Sequence, residues 1–245
     1  MYLGCDGLKI STMVQIGKLD TNIDLKYLYK NIELSEKIKY IQYGDSYKGK
    51  IDKPPTNAFF NQVTIHMLSE KLVNMKIFNN GRIQMTGIKK LNMGNDTIQL
   101  FINEIKKLDD MKRKEIFDNT VKSSSELETA LINCDFDLGF PINREKLNEK
   151  IIEEGYFSSF EPCTYPGVNI KYYYNEMIDN KGICNCDKPC NGKGKNNTCK
   201  RITVAVFKSG KAIITGGNNE NNVKTAYRFI NNFVGKHRDL VELKI

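Results

Sequence analysis

Phe78-Asn-Asn-Gly81-Arg82-Ile-Gln-Met-Thr86-Gly87 returns later in the chain as Phe207-Lys-Ser-Gly210-Lys211-Ala-Ile-Ile-Thr215-Gly216. Both copies read F-x-x-G-[KR]-x-x-x-T-G. Each predicts a hairpin: a strand, a turn carrying glycine, a second strand and a glycine stop. The residues leading into each copy fix which way the Phe points. Val73, Met75 and Ile77 alternate with Asn74, Lys76 and Phe78; Ile202, Val204 and Val206 alternate with Thr203, Ala205 and Phe207. Alternate side chains of a strand lie on opposite faces, so the aliphatic set marks the core. Each Phe therefore falls on the face away from the core, among polar and small residues. One exposed aromatic needs no explanation. The same exposed aromatic at the same place in two copies does.

The composition sets bounds. The chain has 245 residues, 40% of them hydrophobic, which suits one large domain or two halves of ordinary size. No apolar run approaches the ~20 residues that a bilayer crossing needs. Met-Tyr-Leu-Gly-Cys-Asp carries no basic stretch followed by an apolar one, so no secretory signal is expected. Lys and Arg number 37 against 29 Asp and Glu, a net charge of +8 that favours a polyanionic partner. The two histidines, His66 and His237, belong to no metal or nucleophile motif, and no enzymatic activity is expected.

Working outward from the hairpins, one order of elements is traversed twice. Residues 8–17 read as a strand ending at Gly17, 24–34 as a helix, 38–43 as a strand. A polar loop through Pro54-Pro55 leads to another strand over 60–67, the first hairpin, and an amphipathic helix over 96–111. The second pass runs through a strand at 129–138, a helix at 143–152, strands at 156–160 and 165–173, the second hairpin, and a helix at 221–234. The chain is thus an internal duplication: a first repeat over 1–110, a charged, Ser-rich connector over 111–128, and a second repeat over 129–245. The off-core aromatics now number four, Phe60 and Phe78 in one half, Tyr165 and Phe207 in the other. Rings of this kind, backed by a rigid sheet, suit wedges that push between base steps.

The second repeat carries an insert at about 178–201 with Cys184, Cys186, Cys190 and Cys199. Four thiols in one short hairpin tip can close a tetrahedral zinc site, which would order a tip too small for its own core. Reduced free thiols and disulfides are the alternatives, and C-x-C-x3-C-x8-C is not a standard finger spacing. Lys181, Lys188, Lys193, Lys195, Lys200 and Arg201 surround the cluster, either to reach a phosphate backbone or as a solvated tip. Cys5, Cys134 and Cys163 are scattered and take no role.

These residues resemble the TATA-box-binding protein family. Phe157-Ser-Ser-Phe-Glu-Pro-Cys-Thr-Tyr-Pro-Gly167 is similar to that family's second-repeat FSSYEPELFPG, and 78–87 and 207–216 resemble its paired hairpin segments. Phe140-Pro-Ile142 and Gly17-Lys-Leu-Asp20 match ahead of the helices. The likeness covers roughly 8–105 and 129–236, with the motifs in the same order in both halves. It implies an α+β fold: a pseudo-two-fold saddle, a curved ten-stranded antiparallel sheet with helices on the convex face. It also implies a concave face that bends DNA through the minor groove, a behaviour for which this family is itself the standard illustration.

Carried over residue by residue, the resemblance makes Phe60, Phe78, Tyr165 and Phe207 the intercalating aromatics. Thr86 and Thr215 match groove-facing threonines, Arg82 and Lys211 basic positions near phosphates. Ile213 stands at a floor valine and Ala205 at a floor leucine; Gln84 and Lys76 replace the equivalent valine and leucine of the first repeat. The family's paired central asparagines fall near Lys9 and Leu131, and Asn133 matches only with a two-residue slip. The polar floor argues against a strict preference for TATA. The divergence, the insert and the Lys/Asn-rich composition look like the versions carried by large DNA viruses. The implied function is a general initiation factor, monomeric, that binds and bends AT-rich double-stranded promoter DNA. It would recruit an initiation factor and RNA polymerase on the convex face, in a nucleus, a viral factory or a virion, with zinc as the one cofactor. The competing reading is a protein-interaction scaffold on the same fold with DNA reading lost.

Overall fold

The computed structural model describes residues 7–50, 59–121, 127–177, 181–187, 190–194 and 198–244. The Pro54-Pro55 loop, Cys5, Lys188 and Lys195 lie outside the described residues. The chain divides into two compact units, the first Thr12–Ala130, the second starting at Leu131 and including the beginning of the first strand.

In the first unit β1 (Lys9–Lys18) leads to α1 (Leu25–Asn31), β2 (Ile38–Tyr43) and β3 (Ser46–Gly49). Next come β4 (Gln62–Leu68), β5 (Leu72–Phe78), β6 (Arg82–Ile88), α2 (Met93–Lys106) and α3 (Asp110–Ile116). The strands pair in the order β3-β2-β4-β5-β6-β1. The alternation predicted from sequence is realised: Val63, Ile65, Met67, Val73, Met75, Ile77, Ile83 and Met85 are fully buried. Ile98, Phe101, Ile102 and Ile105 form one buried stripe of α2 at helical spacing. Removing a ring such as Phe101 from this layer would cost about 3–5 kcal/mol.

The second unit repeats the plan with β7 (Glu128–Asp137), α4 (Arg144–Glu153), β8 (Phe157–Ser159), β9 (Val168–Tyr174), β10 (Lys200–Val206), β11 (Lys211–Gly217), α5 (Glu220–Lys236) and α6 (Arg238–Val241). The strand order is β7-β11-β10-β9-β8. Val168, Ile170, Ile202, Val204, Val206 and Ile214 are buried, as are Val223, Ala226, Ile230 and Phe233 of α5. Phe229 is only half-buried and stacks on Tyr172, with ring centroids 4.9 Å apart.

Two expectations change. Eleven strands, not ten, are present among the described residues; the addition is β3, a short edge strand on β2. The start of the expected connector is the helix α3, opened by the Asp109 carboxylate, which accepts from the Lys112 amide at 2.9 Å.

The doubled glycines explain the doubled pattern. Gly81 and Gly210 have φ of +78° and +86°. A Cβ on Gly81 would stand 2.5 Å from the carbonyl oxygens of Leu19 and Thr21; on Gly210, 2.2 Å from that of Phe140. The turns also accept matched backbone bonds, Leu19 N–H to Gly81 O and Leu138 N–H to Gly210 O, both 2.9 Å. Each hairpin turn is thus clamped to the segment that leads from strand to helix. Gly210→Ala adds left-handed strain and a backbone clash, and is expected to cost about 2 kcal/mol or more in a urea melt. An unchanged midpoint would mean the turn is not held as described.

Candidate nucleic-acid interface

The faces turned away from the helices carry the residues of interest. In the first unit Gln62, Thr64 and His66 of β4 stand opposite Phe78, Lys76 and Asn74 of β5. Lys76 and Asn74 in turn face Gln84 and Thr86 of β6. All are half-buried. Burial holds the His66 imidazole below its usual range, favouring the neutral ring. Phe60, just ahead of β4, is 63% exposed. Its ring lies on Gly44, where a Cβ would meet it at 2.4 Å, and turns an edge to Tyr43 at 5.9 Å between centroids. Arg82 begins β6, exposed, opposite Lys18.

The second unit carries its own aromatic pair. Tyr165 and Phe207 are in ring contact, centroids 5.8 Å apart. Both rest on Gly167, where a Cβ would lie 2.9 Å from one ring and 3.2 Å from the other. Tyr165 sits ahead of β9 rather than inside a strand, because Pro166-Gly167 intervene. Its amide donates to Glu161 O at 2.8 Å, and Arg144 Nη1 donates to Pro166 O at 2.6 Å, which fixes the turn. Lys211 is exposed at the start of β11. Ile213 is 37% exposed. Ala205 lies between Asn169 and Ile213 in the pairing and is 4% exposed. It has the parity of a floor residue, but its methyl is the shortest side chain in that row, so it forms a depression rather than a contact surface.

Thr215 Oγ1 donates to Asn133 Oδ1 at 2.6 Å. That bond leaves the Asn133 amide hydrogens for another partner and makes Asn133 part of the face. Lys171 Nζ donates to Thr203 Oγ1 at 2.9 Å. Burial, then the charge of Arg201, hold the Lys171 ammonium below its usual range.

The Cys insert closes on itself. The Sγ atoms of Cys184, Cys186, Cys190 and Cys199 lie within 4.8 Å of one another. Cys186 and Cys199 are 3.5 Å apart, a contact between free thiols. Tetrahedral thiolates on zinc stand about 3.8 Å apart, so small shifts would fit this set to a metal ion. Burial pushes the Cys199 thiol up to about 12, a penalty that a bound cation would reverse. The tip continues the sheet: Tyr173 N–H bonds to Gly182 O at 2.8 Å and Arg201 N–H to Gly192 O at 2.9 Å.

Residues 128–237 match the family model described as transcription factor TFIID, or TATA-binding protein. Over 263 aligned residues the chain is 28% identical to a protein of Acanthamoeba polyphaga mimivirus described as TATA-box-binding protein-like, covering 99% of this chain and 69% of that one. Residues 128–237 thus carry the domain of the TATA-binding protein family, and the chain as a whole is similar to a protein described as a member of it. Among solved structures, Methanococcus jannaschii TBP aligns with a TM-score of 0.60 and 22% identity over 94% of this chain and 99% of that one, a likeness of fold. No helix among the described residues is long and apolar enough to cross a membrane.

Proposed function

We propose that this chain binds double-stranded, AT-rich promoter DNA through the minor groove, bends it, and recruits initiation factor and polymerase on its helical side. The observation that carries the reading is the seating of three of the four aromatics on glycines. Phe60 lies on Gly44, and Tyr165 with Phe207 on Gly167, all on faces turned from the helices. Rings held by a rigid floor can enter base steps without first being ordered. Arg82 and Lys211, exposed at matched hairpin positions, serve the phosphates; Gln84, Thr86, Ile213 and Thr215 meet the groove, over the depression at Ala205. The protein acts as a monomer without catalysis, at viral DNA in a nucleus, a viral factory or a virion. Cys184, Cys186, Cys190 and Cys199 hold one zinc ion that orders the tip.

The polar side chains of Lys76, Gln84 and Asp135 on the same faces favour the second reading, a scaffold that has lost DNA recognition. Gel shifts over a salt series, on AT-rich and GC-rich duplexes, decide between them. DNA binding predicts affinity that falls steeply with salt, and a Lys211→Ala variant whose log–log slope is shallower by roughly one unit on every sequence. Absence of a shift at low salt would leave the scaffold.

A further inference from the structure

Three side chains of β7 lie on the face turned from the helices: Leu131, Asn133 and Asp135, alternating with buried Ile132, Cys134 and Phe136. Two neighbouring polar groups are already engaged. Asn133 accepts from Thr215, and Asp137, at the strand end, accepts the Gly139 amide at 2.9 Å. Asp135 has no hydrogen bond or ion pair among the described residues. It is half-buried and stands opposite Ile213 of β11. An unpartnered carboxylate next to an exposed Ile, on the face of a chain with net charge +8, is a costly thing to press against another molecule.

We propose that Asp135 is a specificity-determining residue that selects a G·C pair at one position of an otherwise A·T-rich site. This rests on the minor-groove reading above. The chemistry of the groove then gives the selection. A carboxylate only accepts hydrogen bonds. On the minor-groove floor an A·T pair offers only the acceptors adenine N3 and thymine O2; the guanine N2 amine is the one donor. Against A·T, Asp135 loses its water and meets lone pairs. Against G·C it gains a charge-assisted hydrogen bond. Ile213 has the opposite preference, since an aliphatic side chain leaves a guanine amine without a partner. The two residues pair across adjacent strands, roughly 5 Å apart. The face therefore reads an A·T pair and a G·C pair within one or two steps of each other.

Duplexes selected by the full chain from a library with a randomised centre provide the test. Each selected G·C is replaced in turn by inosine·C, which lacks the amine, and A·T at the same place by 2,6-diaminopurine·T, which supplies it. At one position inosine is expected to weaken binding ~10-fold, in the range of a single wrong base pair, and diaminopurine to restore it. Asp135→Asn, which keeps the shape and can also donate, should erase this difference and leave the salt slope unchanged. Inosine tolerated at every position would overturn the assignment. So would an Asp135→Asn variant that tightens all duplexes equally, because then the carboxylate only repels phosphates. Salt-dependent binding without any amine effect refutes this inference alone; no duplex binding at any salt refutes the minor-groove reading and this inference with it.

Discussion

Phe78→Ala and Phe207→Ala together are expected to leave bound DNA nearly straight and to weaken binding at least 100-fold. Stacking of one base on an aromatic ring is worth about 1–3 kcal/mol, so each lost wedge costs roughly 10- to 100-fold in affinity. The wedge also sustains the bend, and the bend creates the remaining contacts, so affinity and angle should fall together. The single variants should differ. Phe207 supports Tyr165, its ring centroid 5.8 Å away, so Phe207→Ala loosens two rings. Phe60 has its own seat on Gly44 and its own neighbour in Tyr43, so it is less dependent on Phe78. Tyr165 itself is the weaker wedge, because its hydroxyl is costly to bury between bases without a partner. The measurement is energy transfer across an end-labelled AT-rich duplex containing TA steps, with affinity read on the same samples. All four aromatics lie off the main core, so the variants should stay folded. A double variant with the bend and affinity of the parent would remove the wedge reading and put the scaffold in its place.

The faces were legible because a strand has a period of two, and the aliphatic residues of both hairpins keep it up to their closing glycines. Val73, Met75 and Ile77 could only be core, which sent Lys76 and Phe78 to the other side. The duplicated glycine was legible as a turn; its second duty, lying against the carbonyls of Leu19 and Phe140, was not, because it depends on a segment far away in sequence. Asn133 shows what counting leaves out. Measured back from Phe140, the family's asparagine falls at Leu131. The pairing of β7 with β11 shifts between Ile214 and Gly217, with the extra residue in β11, so a count along β7 does not tell which of its residues meets Thr215. The parity of Ile132, Cys134 and Phe136 was the signal that could have placed Asn133 on the face.

Two elements left weaker traces. Ser46-Tyr-Lys-Gly49 is four residues long and mostly polar, so β3 has no alternation to detect. It is held from outside its own sequence. Lys48 Nζ donates to Ile32 O at 2.8 Å just past α1 and pairs with Glu33 at 3.0 Å, and Tyr47 lies by Tyr40, centroids 6.0 Å apart. α3 buries little besides Ile116, so its charged sequence reads as a linker. Its start signal, Asp109 three residues before Lys112, was present but had no apolar stripe behind it.

Zinc is expected at about one ion per chain in protein made in zinc-supplemented cells, and its removal should melt the tip without unfolding the sheet. The reason lies in the surroundings of the four thiols. Cys199 is 1% exposed just before β10, and a thiolate there, alone, would be a buried unpaired charge. Four thiols packed this closely are stable as thiolates only around a cation, and structural zinc sites release about 10–16 kcal/mol on binding in small peptides. That energy would add to the ties of the tip, among them backbone bonds from Tyr173 to Gly182, from Arg201 to Gly192, and from Gly194 to Cys199. Gly182 and Gly192 permit this by their positive φ, +91° and +71°, and by lying close to Tyr172 and Arg201, where a Cβ would clash. Hydrogen exchange reads the effect. With a chelator, or in Cys186→Ser and Cys190→Ser, the amides of Tyr173, Gly194 and Arg201 should exchange roughly 100-fold faster, as in a local opening. Amides of Val204 and Ile170, paired deep in the sheet, should keep their protection. The cluster lies at the start of β10 and Phe207 just past its other end, so a metal-free tip should change DNA affinity far less than the loss of that ring. Protein that carries no metal, with protection at Tyr173 and Arg201 indifferent to the chelator, would reduce the four cysteines to packing residues of a plain loop.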